Sequence, residues 1–162
     1  MLKKEKRYDR GRHCLLVAAV FTAVNTALTL MGRGSHFLFS VFAPYIQSMT
    51  CRNIYEETGD SIHLIVGAAS ALLVIALVAL CWIMAEKKKG WLLVGLVLMV
   101  LDTLDLLYFC VVFDGWDFFL LDFVFHGLIL IEMTVSAFAA ADGPVFERKH
   151  EPIDTWNRPR KY

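Results

Sequence analysis

The sequence predicts an all-α integral membrane protein: a four-helix transmembrane bundle with both termini cytoplasmic and an interfacial segment between the first and second helices. Three observations carry this expectation. The 162 residues are 57% hydrophobic with a mean hydropathy of +0.55, more apolar than an ordinary soluble domain. The charges collect between four apolar runs, each long enough at about 1.5 Å per residue to cross most of a bilayer core. Lys and Arg concentrate in Met1–His13, in Glu86–Lys89 and in the C-terminal tail, whereas the other two connections hold only Arg33 and Arg52 against several acids. Because cytoplasmic loops carry the basic excess, both ends are expected in the cytoplasm.

The remaining composition is mostly exclusionary. Sixteen basic and sixteen acidic residues cancel, which gives no reason to expect a nucleic-acid partner. The four cysteines (Cys14, Cys51, Cys81, Cys110) form no CxxC pair and no metal-ligand spacing, so neither a disulfide framework nor a thiol redox centre is expected. No internal repeat is visible.

The first span is expected at Cys14–Met31, uncharged and about 27 Å long. A basic start before an apolar core also describes a signal peptide, but the core is too long for one and lacks a small-x-small cleavage site. This span carries Thr22, Asn25, Thr26 and Thr29 toward its outer end. The connection from Gly32 to Ser61 opens with HFLFSVFAPYIQSM (His36–Met49), aromatic, too short to span and interrupted by Pro44. The expectation is a segment lying at the outer headgroup level, with Phe37, Phe39, Phe42 and Tyr45 as anchors. The alternative is a re-entrant flap. TCRNIYEETGDS then reads as a polar loop.

The second span is expected at Ile62–Met84, where Gly67 and Ala71 form a small-xxx-small pair suited to close helix approach. After the Glu86–Lys89 turn and Gly90, the third and fourth spans are expected at Trp91–Val112 and Phe118–Ala141, joined by the tight turn FDGWD. Residues 1–141 thus form the transmembrane domain. Residues 142–162 form a polar cytoplasmic tail that begins with the helix-stopping Asp142-Gly143-Pro144.

The last two spans carry Asp102, Asp105, Asp122, His126 and Glu132, and ionisable groups at that depth cost several kcal/mol (on the order of 3) unless paired or hydrated. From the outer turn, Asp122 lies about 8 Å down its helix, His126 about 14 Å, Asp105 about 13 Å and Asp102 about 18 Å. Asn25 of the first span is about 9 Å from its outer end. Asp122 and His126 are i,i+4, Asp102 and Asp105 are i,i+3, and Gly95 shares the face of Asp102. The expectation is that Asn25, Asp102, Asp105, Asp122 and His126 converge on an outward-facing pocket for a ligand or cation. Glu132, off that face, is a secondary candidate. A divalent metal at Asp102, Asp105, Asp122 and His126 is a further candidate, since carboxylates with an imidazole suit Mn²⁺, Fe²⁺ or Zn²⁺. The helical HExxH and ExxH patterns are absent. The plainer reading is that an Asp–His bond simply joins two membrane helices.

The FLFS…PY stretch at Phe37–Tyr45, the Asp102–Thr103 pair and the D-x3-H at Asp122–His126 together resemble small four-span membrane proteins of Gram-positive bacteria. The resemblance covers nearly the whole chain and implies a bacterial cytoplasmic-membrane location; it brings no activity with it. From the residues, the leading function is a transporter or a protein that binds a small solute or cation from outside. A membrane-embedded, metal-dependent enzyme acting on a lipid is the alternative, although no serine or cysteine nucleophile with a placed base is visible. An accessory membrane subunit is the third, and a homo-oligomer is compatible with each.

Overall fold

A computed structural model describes residues 2–33 and 40–141, with the side chains of Leu2–Lys4 and of Ala140 and Ala141 excepted. The tail and residues 34–39 of the aromatic segment lie outside the described residues. Five helices follow in order: α1 (Leu2–Leu30), α2 (Phe42–Thr58), α3 (Ile62–Lys87), α4 (Gly90–Phe113) and α5 (Trp116–Ala141). Among the described residues there is no strand. Four of the helices, all but α2, are long and apolar enough to cross a membrane, and the chain is a multi-pass membrane protein. Their outward faces carry exposed Leu, Ile, Val and Phe, as a lipid-facing surface requires.

α1 and α4 each pack against both α3 and α5, so the four spans close into a ring. The inward stripes follow three–four spacing. On α4 the stripe is Leu92, Gly95, Met99, Asp102, Leu106 and Cys110. On α5 the buried positions include Phe119, Asp122, His126, Ile129, Met133 and Ser136. Three glycines set helix separations, and a Cβ on Gly11 of α1 would lie 2.5 Å from the Cβ of Ser136 on α5. A Cβ on Gly95 would lie 2.8 Å from Leu15 of α1, and one on Gly67 would lie 2.9 Å from the Cβ of Cys51 on α2. The partner of the Gly67–Ala71 face is therefore the extra helix as well as α1.

α1 starts earlier than the expected span because its polar arm is tied down. The Tyr8 hydroxyl donates to Ala85 O near the end of α3 (2.7 Å), and Ser136 Oγ donates to Arg7 O (2.6 Å). Arg10 pairs with Glu132 across α1 and α5 (3.0 Å).

The connection between the first two spans departs most from expectation. The stretch TCRNIYEET, read from the sequence as a polar loop, is helical: α2 runs continuously through it and packs on α1, α3 and α4. Its first turn is inside the bundle: Val41 N–H donates to Thr22 Oγ1 (2.8 Å), about 12 Å inward of the end of α1. Its other end reaches the surface, where Arg52 Nη1 donates to Leu30 O (2.8 Å) and Gly59 closes the helix with a left-handed φ of 71°. α2 therefore begins inside the bundle and ends at its surface. Phe42, stacked edge-on to Phe109 and Phe119 at 5.5 and 5.2 Å, wedges its start against α4 and α5.

Candidate functional site

The inner end of α2 poses a specific problem. A helix start leaves unpaired N–H groups, and burial away from water makes each costly. The residue that would ordinarily cap it is Val41, which has no side-chain acceptor and makes no capping bond. The solution comes from other helices. Thr22 of α1 accepts the Val41 N–H. Asp102 of α4 accepts the next two, with Phe42 N–H to Oδ2 at 2.8 Å and Ala43 N–H to Oδ1 at 2.9 Å. The next residue is Pro44, which has no N–H. Every donor of the first turn is thereby accounted for, and the carboxylate sits where the helix dipole favours negative charge.

His126 of α5 completes the arrangement. Its Nε2 lies 2.9 Å from Asp102 Oδ2 and its Nδ1 lies 2.8 Å from the backbone carbonyl of Asp122. A carbonyl can only accept, so Nδ1 carries a hydrogen. Nε2 faces a carboxylate that already receives two N–H donors. The geometry therefore suits an imidazolium–carboxylate pair holding one shared proton. Asp102 and His126 are 6% and 1% exposed, so the pair is effectively removed from solvent.

A polar seam leads from this pair along α1 and α2. Asn25 Nδ2 donates to Ser40 Oγ (2.6 Å), and both residues are buried. Asp122 is buried as well. Thr26 Oγ1 and Ser48 Oγ are buried without a hydrogen-bond partner among the described residues. Beyond them, at the distal end of α1 and α2, a recess of about 180 Å³ is lined by Thr29, Arg33, Tyr45, Arg52, Asn53 and Glu56. Arg52 Nε pairs with Glu56 at 2.7 Å on its wall.

Asp105 makes no direct bond to the pair, but it lines one groove with Asp102. Asp102 already lies at one edge of the buried stripe of α4, which leaves Asp105 about 100° from the stripe's centre. It is exposed on the bundle surface, makes no hydrogen bond or ion pair with a described residue, and shares with Asp102, Val41 and Ala43 a groove of about 220 Å³ between α3, α4 and the start of α2. Glu132 also stands apart, paired with Arg10. One Glu132 oxygen is buried without an aligned hydrogen bond, so this contact is an ion pair by distance alone. No group of three His, Cys, Asp or Glu side chains able to hold a metal ion exists among the described residues. The elements that sequence reasoning did not reach are the backbone donors of Phe42 and Ala43, the acceptor Thr22 and the recess around Arg52. The nearest signal was the Thr22, Asn25, Thr26, Thr29 spacing on one face of α1, together with a proline three residues after Val41.

No protein-family model matches the chain, and neither a curated protein nor a solved structure shows significant similarity to it.

Proposed function

We propose that this protein binds a small polar solute at the distal recess between α1 and α2, and that binding is linked to the proton shared by Asp102 and His126, as in a proton-coupled carrier. The observation that carries the reading is that a titratable pair holds the inner end of the same re-entrant helix whose outer half lines the recess. Discontinuous helices with a terminus near the bilayer midplane are a recurring transporter device. The recess brings Arg33, Arg52 and Glu56 together, a mixture of signs that suits a zwitterionic or polar solute better than a bare cation. The unpartnered hydroxyls of Thr26 and Ser48, inward of it, would hydrate a path toward the pair.

The sign of the proton linkage follows from the contacts. Protonating Asp102 removes the anion from the start of α2; removing the imidazolium proton sets a lone pair against the carboxylate. The hold on α2 is thus strongest when Asp102 is ionised and His126 protonated, and it weakens toward both acid and alkali. The titratable groups nearest the pair are Asp122 of α5, whose carbonyl meets His126, and Asp105 of α4, which shares a groove with Asp102. α1 offers only neutral Thr22 and Asn25, and α3 carries no charge between His63 and Glu86.

The test is proton movement into dye-loaded liposomes when glycine, glutamate or arginine is added outside. At least one solute should drive it, and Asp102→Asn and Arg52→Gln should each abolish it. A second reading, an accessory subunit with a purely structural clasp, is favoured by the fact that both oxygens of Asp102 and both nitrogens of His126 already have partners. That reading gains if no solute moves protons and Asp102→Asn lowers stability equally at every pH. A metal-dependent enzyme is supported less, because the Asp102 oxygens are engaged by backbone donors.

A further inference from the structure

At the end of the bundle opposite the recess, two cavities run into one another. One, of about 590 Å³, is lined by Lys6, Arg7, Asp9, Arg10 and His13 of α1. The other, of about 440 Å³, lies between α1 and α5, lined by Cys14, Val17, Leu128, Ile129 and the Arg10-paired Glu132, and it shares Arg10 and His13 with the first. The result is one furrow with a basic rim and an apolar floor. The acids near it are engaged: Asp9 by Arg12 at 3.4 Å and Glu132 by Arg10 at 3.0 Å. The Lys6 and Arg7 side chains make no ion pair with a described residue, so the rim keeps uncompensated positive charge.

We infer that this furrow holds an anionic phospholipid of the leaflet on the N-terminal side. Its phosphate lies against Lys6, Arg7 and His13, and one acyl chain runs along Val17 and Leu128. A soluble anion would use the rim alone, and a neutral lipid the floor alone; the joined cavities match a molecule with both parts. Basic groups between or beside membrane helices are recognised headgroup sites, each worth roughly a fivefold change in affinity. The inference is independent of the solute recess, which lies at the other end of α1.

The experiment uses the full-length protein in detergent and counts bound lipid by native mass spectrometry, with phosphatidylglycerol, phosphatidylcholine of the same chains, or inorganic phosphate added. Phosphatidylglycerol should be preferred over phosphatidylcholine, and the double variant Lys6→Gln/Arg7→Gln should lose about 25-fold of that preference. Leu128→Trp, which fills the floor from an exposed position, should lower retention of both lipids. Equal binding of the two lipids, or a preference that survives the double variant, overturns the proposal. So does displacement by millimolar phosphate with no effect of Leu128→Trp, which would make it a free-anion site. Lipid binding that appears only when residues 142–162 are removed would mean that the chain's own tail occupies the furrow, and it overturns the proposal too.

Discussion

Replacing Asp102 by alanine should free α2, and the protein carries its own reporter. Cys51 lies on α2, buried against Gly67 of α3, so a membrane-impermeant maleimide can reach it only when α2 moves away. Asp102→Ala removes the acceptor of two helix-start N–H groups and the partner of His126. Hydrogen bonds to a charged group contribute about 1.5–3 kcal/mol each, so the three give about 4.5 kcal/mol at the lower end of that range. Polar contacts in one well-measured membrane protein average only about 0.6 kcal/mol, which would give about 2 kcal/mol for three. At about 1.4 kcal/mol per tenfold, these bounds predict Cys51 labelling faster by about 30-fold to about 1,600-fold. Asp102→Asn keeps one acceptor and should fall at the lower end. The readout is site-resolved labelling by mass spectrometry, with deeply buried Cys81 and Cys110 as internal controls for global unfolding. If folded Asp102→Ala labels within about threefold of wild type, less than one average polar contact, then Asp102 does not hold α2 and the argument fails.

Four further outcomes are expected. In the wild-type protein, Cys51 labelling should be slowest near neutral pH and rise on both sides, whereas in His126→Phe the alkaline rise should be gone; a flat wild-type profile counts against the shared proton. Gly67→Leu should destabilise by about 1–3 kcal/mol in denaturant titrations, because even a Cβ there meets Cys51 at 2.9 Å. Tyr8→Phe should cost about 1 kcal/mol by leaving the Ala85 carbonyl at the end of α3 without its hydroxyl donor, also read by unfolding. Asp105→Leu should raise membrane-insertion efficiency, by up to about 2.5 kcal/mol on translocon scales, and leave Cys51 labelling unchanged.

Much of the fold was legible because lipid imposes a simple rule. Hydrocarbon-length apolar runs between charged turns have little option but to be helices, and all four spans stand where hydropathy puts them, apart from the early start of α1. The stretch after α1 was harder to read, because its aromatic content fits a headgroup anchor as well as a helix buried among others. What distinguishes them is the supply of acceptors for Phe42 and Ala43, and that lies on Asp102, far along the chain. The depth arithmetic put Asp105 and His126 at one level, with Asp122 above and Asp102 just below, but helical spacing alone could not say which flank of α4 faces inward. Asp102 is buried in the bundle, whereas Asp105, one turn on, is exposed along the groove that both line. Arg52 was legible only as a loop charge until the helix carrying it was known.

Why α2 should be capped from another helix is itself informative. The local solution to a helix start is Ser, Thr, Asn or Asp at the capping position, and it would leave α2 indifferent to its neighbours. Here that position is Val41, and the acceptor is an acid on α4 whose charge is balanced by an imidazole on α5. A cap supplied this way makes the order of α2 depend on how α4 and α5 sit and on a single proton. A neutral acceptor such as asparagine could satisfy part of the same backbone without sensitivity to pH. The ionisable pair adds burial cost that structure alone does not demand, and what it adds in return is a way for a proton, or a change between α4 and α5, to release one end of the recess wall.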